Sequence, residues 1–130
     1  MLGLTSVVVH TILYVADQKK SRDFYGALLG LDPVLDVPGM TEFKLSESHT
    51  LGLMPEAGIK RLLGDKIADP TKTNGIARAE LYLHVENPDT MFAEALQLGA
   101  RELSPVLERN WGDRAGYVLE FDGHVLAFSS

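Results

Sequence analysis

Apolar and polar positions along this chain spell out the same run of elements twice. Residues 6–15, Ser-Val-Val-Val-His-Thr-Ile-Leu-Tyr-Val, are rich in β-branched and aromatic types and predict a strand. Asp17 follows as a helix N-cap, and Phe24, Tyr25, Leu28 and Leu29 then recur at helical spacing. Gly30 ends that helix, with Asp32-Pro33 behind it as a breaker. Short strands are predicted near 34–37, 41–45 and 50–54, separated by Pro38-Gly39 and by residues 46–48. Residues 55–76 scatter Gly58, Gly64, Pro70 and Gly75 through a stretch without sustained period. They predict a long connection with a single helical turn at 59–63.

The pattern then restarts. Residues 79–85 alternate as a strand, and Asn87-Pro88 supplies a cap followed by proline in the first helical turn. Phe92, Ala95, Leu96 and Leu98 mark a helix that Gly99 closes, and strands are predicted at 102–107, 117–121 and 125–128. Asp122-Gly123 fits a hairpin turn. The order β-α-β-β-β thus occurs twice. Val15 and Val85 end the opening strands 70 positions apart, and Gly30 and Gly99 end the helices 69 apart, as an internal duplication would place them. The predicted fold is α+β. Two β-α-β-β-β modules (about 5–55 and about 77–130, joined by about 56–76) pair so that their uncovered sheet faces form a half-barrel cleft.

Composition narrows the chemistry. A chain of 130 residues is one domain's length, and it contains no cysteine. Thiol nucleophiles, thiolate zinc sites, iron–sulfur clusters and disulfides are thereby excluded. With 12 basic against 18 acidic residues the net charge is −6, and no Lys/Arg run exceeds two. Nucleic acid and anionic membranes are poor partners for such a surface. The first ten residues carry no basic segment before their apolar run, which Thr5, Ser6 and His10 interrupt, so a cytoplasmic location is expected. No phosphate loop, Gly-x-Ser-x-Gly elbow, His-Glu-x-x-His helix or calcium loop is present.

Strand parity gathers the candidate chemistry on one face. Val8, His10, Ile12 and Tyr14 share one side of the first strand. In the second module Glu80, Tyr82 and His84 oppose an apolar Leu81, Leu83 and Val85. The 70-residue offset aligns His10 with Glu80, Ile12 with Tyr82 and Tyr14 with His84. Such a mixture of titratable and aromatic groups suits a small-molecule pocket. Each residue also has a plainer role open to it. His10 fits a core histidine bonded to a backbone carbonyl. Glu80 fits an ion pair with Arg78 or Arg114, or an acid–base pair with His10. His84 and His124 fit solvated positions, and Trp111 fits a surface plug over the sheet.

The segment from His10 through Val15-Ala-Asp17, Ser21, Phe24-Tyr25 and Leu29-Gly30 resembles the opening of the vicinal-oxygen-chelate superfamily, which includes glyoxalase I, extradiol dioxygenases and bleomycin- and fosfomycin-resistance proteins. Leu83-His-Val-Glu-Asn87, Trp111-Gly-Asp-Arg114 and Phe121-Asp-Gly-His124 extend the resemblance over nearly the whole chain. It implies paired modules, a substrate in the half-barrel, a homodimer and, in catalytic members, a divalent metal (Zn, Ni, Mn or Fe). The four metal-ligand places it implies fall on His10, Gly52, Glu80 and Ala127. Gly and Ala offer no donor, while a catalytic zinc site uses three protein ligands. Among neighbouring donors, His49, Glu56, Glu120 and His124 are the alternatives. The resemblance also puts Trp111 and Arg114 on a substrate-contacting loop. Two functions follow. One is a metal-free protein binding a small hydrophobic or aromatic molecule through Tyr14, Tyr82, His84, Trp111 and Arg114. The other is a metal-dependent lyase, isomerase or dioxygenase like glyoxalase I, with His10 and Glu80 ligating and Glu80 the candidate catalytic carboxylate.

Overall fold

The computed structural model describes residues 7–130, so Ser6, assigned to the first strand above, lies outside the described residues. It divides into two compact units, Met1–Thr73 and Asn74–Ser130, each built on one four-stranded mixed sheet with a helix against it.

The first unit runs β1 (Val9–Val15), α1 (Gln18–Leu29), β2 (Leu35–Val37), β3 (Met40–Ser46) and β4 (His49–Pro55). Its strand order is β1-β4-β3-β2, with β1 and β4 parallel and the other pairs antiparallel. The carboxylate of Asp17 accepts the Lys20 N–H at 3.0 Å, giving α1 its first satisfied orphan donor. Gly30 closes the helix in the left-handed region (φ 65), where a side chain would be strained, and its N–H returns to the Gly26 carbonyl. Phe24, Tyr25 and Leu28 are buried on α1, while Val15, Phe43, Leu51 and Leu53 are buried on the sheet. Each such side chain contributes about 1.5–3 kcal/mol by leaving water. Gly26 is what lets the helix lie close to β3, since a Cβ there would stand 3.7 Å from the Phe43 ring.

After β4 the structure corrects the expectation of an open connection with one turn. A helix α2 occupies Glu56–Leu63, and two short 3-10 turns follow at Gly64–Lys66 and Pro70–Lys72. Acidic Glu56 in its first turn and basic Lys60 and Arg61 in its last complement the helix dipole. Ile59 is buried, and the Lys60 ammonium donates to the carbonyls of Gly64 (2.8 Å) and Ile67 (3.0 Å) just past the helix end. Gly58 made this stretch look broken, yet glycine inside a helix costs only about 1 kcal/mol.

The second unit repeats the plan with β5 (Glu80–His84), α3 (Pro88–Gln97), β6 (Arg101–Glu108), β7 (Arg114–Leu119) and β8 (Val125–Ser129). The order is β5-β8-β7-β6, again with the outer pair parallel. Asn87 caps α3 by accepting the Thr90 N–H, and Pro88 occupies the first turn. Phe92 and Ala95 are buried on α3. Phe92 packs where β7 has no side chain: a Cβ on Gly116 would lie 2.6 Å from Val106 and 2.9 Å from the Phe92 ring. The strand predicted at 117–121 starts earlier and stops at Leu119. Glu120 is buried, and its carboxylate accepts the N–H groups of Asp122 (2.7 Å) and His124 (2.9 Å), which turns the chain. Gly123 (φ 89) completes that turn and passes so close to Gly75 that a Cβ would stand 2.9 Å from its backbone. No helix among the described residues is long and apolar enough to cross a membrane.

Candidate functional site

Each sheet covers one face with its helix and leaves the other open, and strand register fixes which residues share the open faces. In the first unit Ile12, Gly52 and Glu42 stand side by side on β1, β4 and β3, with His10 opposite Thr50 in the next row. Gly52 lies between bulky neighbours, because a Cβ there would be 3.3 Å from both Ile12 and Met40. Glu42 comes within 3.4 Å of His10 Nδ1, an ion pair whenever the imidazole is protonated. The His10 side chain is 44% exposed, so it is not the core histidine satisfied by a carbonyl. Tyr14 follows His10 and Ile12 on the same side, part-buried.

In the second unit the equivalent row is Tyr82, Ala127 and Tyr117 on β5, β8 and β7. Ala127 is fully buried between the two tyrosines. The loop joining β6 to β7 folds back along this face. Its Asp113 accepts the Tyr82 hydroxyl proton at 2.7 Å, and Trp111 Nε1 donates to the same hydroxyl oxygen at 3.1 Å. His84 stands edge-on to Tyr82 (5.5 Å between ring centres), with Nε2 3.7 Å from Asp113 and Nδ1 3.2 Å from Ser129 Oγ. Arg109 lies 5.2 Å from the centre of the Tyr117 ring. It is anchored there by Nε to the Ala115 carbonyl, and by one Nη to Ser104 Oγ and the Pro105 carbonyl. Burial, foremost, and then the charge of Glu80 push the Tyr117 phenol above its ordinary value. Glu80 itself is exposed at the start of β5.

The residues at the four metal-ligand places do not supply a site within either unit. His10 and Gly52 share one open face, and Glu80 and Ala127 share the other, so each face offers one donor of the implied set. The neighbouring donors do not fill the gap. His49 lies on the helix side of its sheet, 2.7 Å from Thr11 Oγ1. Glu120 is occupied by its own turn, and Glu56 begins α2. Among the described residues no three His, Asp or Glu side chains converge as a metal would need.

Arg114 departs from its expected place on the substrate loop. It opens β7 with parity opposite to Ala115 and Tyr117, and its guanidinium pairs with Asp89 on α3 at 3.0 and 3.3 Å, not with Glu80. Trp111, more than half exposed, is held by Tyr82 and is no loose plug. His84 is two-thirds exposed yet tied into the Tyr82–Asp113 cluster. Sequence reasoning missed Glu42, Asp113 and Tyr117. The signal for Glu42 is the alternation Met40, Glu42, Lys44; for Asp113 and Tyr117 it is the shared parity of residues 113, 115 and 117, hidden by starting that strand three residues late.

The family model described as Glyoxalase/Bleomycin resistance protein/Dioxygenase superfamily matches residues 7–128. No curated protein matches the chain. Among solved structures, protein ATC0852 from Agrobacterium tumefaciens is 30% identical with a TM-score of 0.72, each chain being covered to 93%. A glyoxalase/bleomycin resistance protein/dioxygenase family enzyme from Burkholderia phytofirmans PsJN has a TM-score of 0.81 at 16% identity, covering 95% of this chain and 98% of its own. A glyoxalase-related enzyme from Fulvimarina pelagi has a TM-score of 0.79 at 20% identity, with 95% and 87% covered. At these two lower identities the likeness concerns the fold.

Proposed function

This chain belongs to the Glyoxalase/Bleomycin resistance protein/Dioxygenase superfamily, and on that footing we propose that it binds a small hydrophobic or aromatic molecule on the open face of its second sheet, using protein side chains alone. The observation that supports this reading is the row Tyr82–Ala127–Tyr117 with Trp111 hydrogen-bonded beside it. Two phenols and an indole present ring surface, while the small Ala127 lets the tyrosines close over the strand between them. Superfamily membership does not select an activity, because one fold carries many chemistries. Side chains, and not the fold, therefore decide between the readings.

A competing reading is a metal-dependent lyase, isomerase or dioxygenase. It draws on His10, exposed on its open face with the Glu42 carboxylate 3.4 Å away. Elemental analysis of the purified chain after loading with Ni, Zn, Mn and Fe(II) separates the two. Binding of planar aromatic compounds, measured by calorimetry, is expected without any of these metals. Trp111→Ala or Tyr82→Ala should weaken it about ten-fold, corresponding to ~1.4 kcal/mol of lost ring contact. Stoichiometric, tightly held metal that disappears in His10→Ala would sink the metal-free reading.

A further inference from the structure

We propose that the molecule taken by the second sheet's open face is a planar aromatic cation, such as an aromatic amidinium or a protonated amino-heterocycle; this rests on the reading of that face as a small-molecule site. Counting donors and acceptors carries the inference. The Trp111 N–H is committed to the Tyr82 oxygen, and the Tyr82 hydroxyl proton to Asp113. The Ser129 hydroxyl donates to the Leu83 carbonyl. Arg109 has Nε and one Nη engaged by Ala115, Ser104 and Pro105. His84, the other group able to carry positive charge here, faces Asp113 at 3.7 Å. Arg101 lies three strands from Glu80, on β6, about 14 Å away at ~4.8 Å per strand.

Acceptors, by contrast, are open. Glu80 stands exposed at the head of β5, and Asp113 has lone pairs beyond the one that receives Tyr82. Ring faces attract cations through their quadrupole, as Arg109 over Tyr117 already illustrates. The raised Tyr117 phenol, to which Glu80 contributes after burial, is what a negatively biased face would produce. A cation here gains ring stacking and a charge-assisted hydrogen bond to carboxylate together. An aromatic acid would meet Glu80 and Asp113 with the neighbouring donors already engaged.

Three molecules of one shape test this: 9-aminoacridine (cation), acridine at pH 8 (neutral) and acridine-9-carboxylate (anion), each titrated calorimetrically into the full chain. Trp111 is the sole tryptophan, so quenching of its emission reports whether binding occurs at this face. The cation is expected to bind at one site per chain, at least ten-fold tighter than the neutral ring, with the anion weakest. Its advantage should shrink several-fold in Glu80→Gln and at high salt, with neutral acridine unchanged by Glu80→Gln. Equal affinity for cation and neutral ring, or tightest binding of the anion, overturns the charge preference and leaves the small-molecule reading standing. Failure of all three to bind defeats both. An equal loss in Asp32→Asn, a surface acid of the first unit, would show attraction to net charge alone and also overturn the proposal.

Discussion

The two modules carry one scaffold and two different surfaces. On the first open face the central row is Ile12–Gly52–Glu42, and a carboxylate on β3 comes to His10 on β1. On the second the matching row is Tyr82–Ala127–Tyr117, clasped by Trp111 and Asp113. The covered faces differ too, in where the bulk sits. In the first module the sheet supplies Phe43 and the helix supplies Gly26; in the second the helix supplies Phe92 and the sheet supplies Gly116. Helix-on-sheet packing accepts either arrangement so long as a large side chain meets a small one. The backbone plan is therefore independent of which partner carries the ring, and the open faces were left to diverge.

The largest expected effect comes from emptying the two cores. Phe43→Ala should destabilise by about 3–5 kcal/mol and Phe92→Ala by somewhat less, because Phe43 is fully buried and Phe92 is 9% exposed. Urea denaturation followed by circular dichroism measures both, and the reverse ranking would show that the cores are not equivalent in the way described. Next come the two glycines opposite those rings. Gly116→Ala should cost about 1–3 kcal/mol, because its Cβ would meet Val106 at 2.6 Å, backbone included at 3.1 Å. Gly26→Ala meets only ordinary contacts and should stabilise by about 0.4–1 kcal/mol through the unfolded chain. Like signs for these two changes would break the picture of exchanged bulk.

The smallest effect is electrostatic. Each module pairs an arginine with an aspartate. Asp36 is hydrogen-bonded by Arg22 and Thr41, and Asp89 by Arg114. Both carboxyls are held below their ordinary value, in each case chiefly by the arginine. A carboxyl depressed on folding stabilises fully above its unfolded pKa, about 3.9, and that contribution is lost as pH falls through the lower folded value. Asp36→Asn and Asp89→Asn should therefore lower stability at pH 7 and flatten its decline below about pH 4. The change should be larger for Asp36, the less exposed of the two, which also engages Thr41. Chemical denaturation at a series of pH values checks the order.

Local chemistry made most of the fold legible. Asp17, Gly30 and Asn87-Pro88 mark helix ends by mechanisms that act within a few residues, and β-branched alternation marks strands. The faces of His10, Tyr82 and His84 followed from parity alone. Across-strand relations were less accessible. Glu42 meets His10 only because β3 and β4 pair with a bulge after Lys44, and β6 carries two irregularities before Asp113 is reached. A one-residue difference in such a register reverses a side chain, which is why Arg114 was expected on the open face and lies on the other. Gly58 concealed α2 because a glycine inside a helix and one in a loop look alike in sequence.

The small residues at the centre of each open row bear on how such a surface is reached and left. A carboxylate introduced at Gly52 would start from a Cβ only 3.3 Å from Ile12 and Met40. One introduced at Ala127 would begin fully buried between Tyr82 and Tyr117. Restoring a ligand at either place needs its neighbours reduced first, and reducing them first exposes the strand between. Stepwise reversal thus passes through intermediates worse than either end. The rows act as a ratchet, holding this lineage on the side where rings and aliphatic groups, not carboxylates, occupy the centre of the sheet.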